Sequence, residues 1–173
     1  MMLRGERVEL RAWCAGDERA LVRHGDDRRV WRNLTDEFPH PYTLRDAEAW
    51  IERVASQGTP PQNFAIEFDG EPIGGAGFAR LGDLARLSAE LGYWLGHSHW
   101  GRGLATEACR LVSDYAFENF DFERLQAGVL DWNPASRRVL EKCGYELEGR
   151  LRRGAVKDGQ VVDRWLYSRL RKG

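Results

Sequence analysis

The stretch Glu90-Leu-Gly-Tyr-Trp-Leu-Gly-His-Ser-His-Trp-Gly-Arg-Gly-Leu-Ala-Thr-Glu107 constrains this chain more than any other. It reads as a strand from Ala89 to Leu95, a short turn, and a helix that begins near Leu104. Leu104, Ala108, Leu111, Val112 and Tyr115 recur at the spacing of one helical face. Between strand and helix lies Trp100-Gly-Arg-Gly-Leu-Ala105, where the two glycines and the small Ala105 let the backbone come close to a ligand. The first turn of a helix carries unpaired N–H groups, and the helix dipole favours negative charge there. A strand, a glycine turn and a helix in this order make a phosphate cradle on physical grounds, although a plain tight turn uses the same residues. The dinucleotide fingerprint G-x-G-x-x-G fails because Thr106 stands at its third glycine. No G-x-x-x-x-G-K-[ST] occurs, which argues against a nucleoside triphosphatase loop.

The 173 residues suffice for one domain with a sizeable core, here expected to span 1–173 with its body at about 7–170. A formal net charge of −1 points to neither a nucleic-acid partner nor a membrane surface. No apolar run approaches membrane-spanning length, and Met-Met-Leu-Arg-Gly-Glu is not a signal peptide, so the cytoplasm is the expected location. Cys14, Cys109 and Cys143 are an odd count and read as free thiols in a reducing compartment.

In chain order, Val8 to Arg11 alternates as a first strand. Asp17 to His24 reads as a short helix with Asp17 as its cap, and Arg28 to Leu34 as a second. Phe38-Pro-His-Pro-Tyr42 is a stiff loop. Thr43 caps a longer helix with Asp46 as capping-box partner, its apolar face being Leu44, Ala47, Trp50, Ile51 and Val54. Gly58-Thr-Pro-Pro61 ends it. Asn63 to Phe68 and Pro72 to Ala79 are strands about an Asp69-Gly70 hairpin turn, the second loosened by Gly74, Gly75 and Gly77. Residues 80–87 form a loop. The helix begun at Leu104 runs to about Asn119, and Leu125 to Leu130 is a strand. Asn133 is a good N-cap with Pro134 at the first helical position, and Gly144 a left-handed terminator. Tyr145 to Leu151 and Val161 to Leu170 are the last strands, with Asp158-Gly159 as a turn. This pattern is an α+β domain on a mixed, mostly antiparallel sheet flanked by helices.

Two blocks resemble the GNAT superfamily of acetyl-CoA-dependent N-acetyltransferases, in particular its RimJ/RimL-like branch. They are Trp100-Gly-Arg-Gly-Leu-Ala-Thr-Glu-Ala108 and Asn133-Pro-Ala-Ser-Arg-Arg-Val-Leu-Glu-Lys-Cys-Gly-Tyr145, with Arg32-Asn-Leu34 and Phe38-Pro-His-Pro-Tyr42 in support. The likeness runs from about Arg7 to Leu170. The superfamily's pyrophosphate motif, Q/R-x-x-G-x-G/A, falls on Trp100, Gly103 and Ala105, with Trp in place of the first Gln or Arg. The resemblance implies a twisted sheet whose strands splay to form a cleft for acetyl-CoA. It implies pantetheine amides on the backbone of Trp94, Leu95 and Gly96, and a pyrophosphate on the amides of Gly101, Arg102, Gly103, Leu104 and Ala105, with Trp100 and Thr106 also at the cofactor. Arg102 could add a charge or simply be solvated. The acceptor implied is a primary amine, either a protein N-terminus or a small molecule, and a homodimer is compatible with this branch.

Acetyl transfer from a thioester needs a neutral amine, a polarised carbonyl and a protonated leaving group. Neutralising a lysine amine at pH 7 costs ~4–5 kcal/mol and an α-amine ~1 kcal/mol, from their ordinary pKa values. The resemblance makes Glu90 the candidate base, expected to be part-buried with its pKa raised toward neutrality; the alternative is a surface carboxylate in a salt bridge. It makes Ser136 the thiol-side group, a hydrogen-bond donor or acid, where the alternative is a serine that serves only the first helical turn. Asn133 caps the helix or binds a pantetheine amide. His97 and His99 lack further ligands at metal-binding spacing, so no metal is expected. Trp31, Trp50 and Trp132 read as core or cleft wall. Asp26, Asp27, Asp36 and Glu37 either attract a cationic amine or are solvated. A non-catalytic acyl-CoA-binding sensor or scaffold is the competing function; it would need neither Glu90 nor Ser136.

Overall fold

The computed structural model describes residues 2–173. Its elements in chain order are β1 (Met2–Arg4), β2 (Glu9–Arg11), α1 (Glu18–Gly25), α2 (Arg28–Trp31), α3 (Leu44–Ala55), β3 (Asn63–Phe68), β4 (Glu71–Arg80), β5 (Ser88–Leu95), α4 (Leu104–Asn119), β6 (Arg124–Leu130), α5 (Pro134–Lys142), β7 (Glu146–Lys157) and β8 (Gln160–Leu170). The eight strands form one sheet in the order β1-β2-β3-β4-β5-β6-β8-β7. Every neighbouring pair is antiparallel except β5 and β6, which run parallel. The crossover that parallel pairing requires is α4.

Helices cover both faces. Alternation along β5 sends Ala89 and Leu91 into the main core with Leu104, Ala108, Val112 and Ala116 of α4 and Leu140 of α5. Trp94 points the other way and packs with Trp13, Leu21, Tyr42, Ala47 and Ile51, the cluster under α1 and α3.

Several turn and cap signals act as expected. Asp69 and Gly70 have φ of 51° and 78°, and Asp158 and Gly159 54° and 71°, so both tight hairpins use left-handed pairs. Thr43 and Asp46 form a reciprocal capping box, Asn133 caps α5 ahead of Pro134, and Gly144 turns left-handed at φ 81°.

Other expectations need correction. Asp17 makes no side-chain cap; its carboxylate instead accepts from Arg11 Nη1 at 2.7 Å and Nη2 at 2.9 Å, because a strand guanidinium lies within reach. The second short helix is only Arg28–Trp31, capped by Asp27. Leu44 at the start of α3 is exposed, since the first turn overhangs the edge of its cluster. The loop at 80–87 gives Arg80 to β4 and holds a 3-10 turn at Asp83–Ala85. Strand β1 was not expected. Strand β7 continues past Leu151 through a register shift before Ala155, where Arg153 has φ 55°. The β4 glycines do not loosen their strand. They are buried: a Cβ at Gly74 would lie 2.1 Å from the Trp94 carbonyl oxygen of β5, one at Gly75 2.9 Å from the Trp94 indole nitrogen, and one at Gly77 2.6 Å from the Gln62 carbonyl oxygen beside β3, so each permits a close approach.

Candidate active site

Strands β5 and β6 pair only at Ser88–Arg124, Ala89–Leu125 and Glu90–Gln126. Beyond Glu90, β5 keeps only its β4 partners, and beyond Gln126, β6 keeps only β8. The two strands therefore part in the middle of the sheet, as the resemblance implied. The gap opens into a cleft of about 1350 Å³, above the usual range for a single small ligand and large enough for two substrates.

The backbone that borders the gap follows from strand alternation. Gly96 N donates to Ile73 O of β4 at 2.8 Å, so Trp94, two residues earlier, also turns its N–H and C=O to β4. Tyr93 and Leu95 turn theirs to the gap. Of Trp94, Leu95 and Gly96, only Leu95 thus presents its main chain there, and its carbonyl oxygen already accepts from Trp100 Nε1 at 2.8 Å. Trp100, which replaces the motif's Gln or Arg, braces the turn to the strand, its ring tilted at 59° against that of His97.

Beyond that turn, Gly101 and Gly103 have φ of 73° and 79°, and Gly103 is the N-cap of α4 with no side-chain cap. The amides of Leu104, Ala105 and Thr106 therefore lack both helical acceptors and a capping oxygen. Nothing lies within 4 Å of where a Cβ on Gly101 would stand. Glu107, the one acidic side chain of that turn, leaves the dipole unfilled, for its Oε1 accepts from the amides of Arg7 at 2.8 Å and Val8 at 3.2 Å. Burial pushes the Glu107 carboxyl up, but those amides and the Arg7 guanidinium hold it below the usual glutamate range. Arg7 also donates to Arg102 O at 2.7 Å, which puts a guanidinium beside the cradle that the motif does not reveal. Arg102 itself lies over the Phe68 ring, 4.6 Å from its centroid.

Glu90 and Ser136 flank the gap from opposite faces. Glu90 shares the Trp94 face, where Gln126 Nε2 donates to one carboxylate oxygen and Arg164 Nη2 to the other, both at 2.8 Å. Arg164 reaches it across Gly128, where a Cβ would meet the guanidinium at 2.0 Å. The half-buried carboxylate is thus clamped in an ion pair rather than isolated against apolar walls. Ser136 lies on the α4 side, in the first turn of α5. Its N–H donates to Asn133 Oδ1 at 3.2 Å, and its Oγ is 2.8 Å from the hydroxyl of Tyr93. Burial pushes the Tyr93 phenol well above its ordinary pKa, so it stays protonated. Sequence reasoning passed over Tyr93 because it alternates as a core residue; only the splay brings it to the cleft.

Of the four acidic residues expected near the acceptor mouth, Asp36 and Glu37 line the cleft and Asp26 and Asp27 do not, and three of the four are engaged within the chain. Asp26 accepts from Tyr42 N at 2.9 Å, Asp27 pairs with Arg29 at 2.6 Å, and Asp36 pairs with the buried Lys157 at 2.8 Å. Trp31 lies against Lys157 and Trp132 under Arg32, neither of them lining the cleft, whereas Trp50 does line it. Among the described residues no three metal-binding side chains converge, and no helix is long and apolar enough to cross a membrane.

Residues 7–146 match the family described as the acetyltransferase (GNAT) domain. The chain belongs to the GNAT acetyltransferases. It is an acyltransferase of the N-acetyltransferase class. A relative from Bacillus licheniformis, the uncharacterized N-acetyltransferase p20, is 30% identical over 170 residues, 96% of this chain and 94% of that one. The ribosomal-protein-serine acetyltransferase of Escherichia coli is 31% identical over 62% of this chain and 59% of its own length. Among solved structures, Mycobacterium smegmatis RimJ in complex with a CoA disulfide superposes with TM-score 0.84 at 26% identity, over 98% of this chain and 86% of that one. The RimL ribosomal L7/L12 α-N-protein acetyltransferase, in complex with coenzyme A, shares the fold with TM-score 0.85 at 19% identity and 98% of each chain.

Proposed function

We propose that this GNAT protein transfers acetyl from acetyl-CoA to a primary amine by direct attack in a ternary complex, and that its preferred acceptor is an α-amine. The observation that carries the reading is the parting of β5 and β6 beside an uncapped, glycine-framed helix start. An extended amide chain fits along the free edge of β5 at Tyr93 and Leu95, as an added half-strand. A diphosphate fits the open amides at the start of α4, with Arg7 close by. Asn133 supplies the cap through its carbonyl oxygen, which leaves its amide nitrogen for a pantetheine carbonyl.

Glu90 takes up the proton of the attacking amine, and Ser136 serves the leaving sulfur from the opposite face. The clamp of Arg164 and Gln126 orients Glu90 but leaves no free, dehydrated carboxylate. An α-amine, which needs only ~1 kcal/mol to become neutral at pH 7, asks least of such a group. The E. coli relative, whose name specifies a ribosomal-protein serine, supports a protein as one such acceptor.

Thiol release over a panel of peptides, amino acids, polyamines and lysine analogues, with mass spectrometry of the products, tests this. Acetylation at α-nitrogen is the expected result. Saturable CoA binding without turnover on any amine would instead support a non-catalytic sensor or scaffold.

A further inference from the structure

We propose that Tyr93 is a positioning residue that aims the Ser136 hydroxyl at the sulfur of the bound thioester. The inference rests on the reading of the cleft as an acetyl-transfer site and adds a residue to it. Ser136 is not needed as a helix cap, because the Asn133 side chain already accepts its N–H. Its hydroxyl is paired with Tyr93 instead, 2.8 Å away. The two groups come from opposite sides of the split: Tyr93 from β5, Ser136 from the helix that follows β6. Their contact therefore joins the β5 and β6 sides of the split, and both residues line the cleft in which the acyl-bearing thiol would lie.

A serine hydroxyl has one proton and two lone pairs, and a phenol has one proton. Tyr93 can donate to Ser136 Oγ at 2.8 Å or to the Ser136 carbonyl oxygen at 3.2 Å. In the first and shorter arrangement the serine oxygen is occupied as an acceptor, and its own proton is free for a third atom. Burial keeps the phenol protonated, so it remains a donor throughout the working pH range. When the amine nitrogen bonds to the carbonyl carbon and the C–S bond breaks, the electron pair goes to sulfur. The Ser136 O–H then donates a hydrogen bond to that charge. The proton count balances, because the nitrogen releases one proton and the sulfur finally takes up one.

A double-mutant cycle with Tyr93→Phe and Ser136→Ala tests the coupling. Each single variant is expected to lower kcat about tenfold, the scale of one hydrogen bond lost from the transition state, with the KM for acetyl-CoA little changed. The double variant is expected to be no slower than Ser136→Ala alone. If Ser136→Ala is slow while Tyr93→Phe turns over at the wild-type rate, or if the two losses multiply, the inference falls and the acetyl-transfer reading stands. If both variants run at the wild-type rate, the role given to Ser136 falls and takes the inference with it. Tyrosine labelled with 13C at Cζ offers a check that needs no change at Tyr93. Ser136→Ala should move one of the five tyrosine resonances, and a spectrum with all five unmoved would overturn the contact.

Discussion

The chemistry we propose turns on a few side chains whose neighbours decide their roles. Glu90 is one: alternation along its strand places it, but Arg164 and Gln126 fix how it faces the cleft. Glu90→Gln is expected to slow acetylation of lysine-like amines by about 10²-fold and α-amines by less, since the stronger base depends more on a proton acceptor. Rates against pH for both acceptor types, over roughly pH 6 to 9, check this, and identical profiles for the two enzyme forms would remove Glu90 from the reaction. The motif blocks made Glu90, Ser136 and the turn at Gly101–Ala105 legible as candidates. Tyr93, Arg7 and Arg164 were not, because each reaches the site through a contact distant in sequence: 43 residues between Tyr93 and Ser136, 95 between Arg7 and Arg102, 74 between Arg164 and Glu90.

Elements were read best where local chemistry ends them. The capping box of α3, the Asn133-Pro134 start of α5 and the two Asp-Gly hairpins depend on residues within four positions of one another. Thr43→Ala is expected to cost ~1 kcal/mol of stability, because it removes the side-chain acceptor of the Asp46 amide, and urea titration measures it. The failures share a cause. Strand β1 is three residues long and exists by pairing with β2, and β7 passes Leu151 only because β8 holds it across a bulge. Asp17 is placed like a cap, yet a strand arginine engages it. In each case a partner far along the chain or in another element outweighs the local signal.

Across the whole molecule, an antiparallel sheet is interrupted at its one parallel pair, and that interruption is where we propose that the substrates bind. The β6–β8–β7 arm is tied together by Glu148, which accepts from Arg124 Nη2 at 2.7 Å and from Ser168 Oγ at 2.5 Å. Arg124 and then Ser168 hold its carboxyl down at about 2. Its folded-state pKa lies below the unfolded value of ~4.3, so its contribution to stability is present above that pH and lost as the pH falls toward about 2. Glu148→Gln is therefore expected to flatten the acid limb of the stability curve in that window, as thermal melts at stepped pH would show.

The cradle at the start of α4 is tested most directly by calorimetry with acetyl-CoA on the wild type and on Ala105→Asp. An acidic residue in a first helical turn suits the helix dipole, so the variant should melt within a few degrees of the wild type. Its charge would nonetheless oppose a diphosphate on those amides, and binding should weaken by at least about tenfold, or ~1.4 kcal/mol. Equal affinity in the two proteins, or no heat with the wild type, would contradict the placement of the coenzyme between the parted strands and this helix.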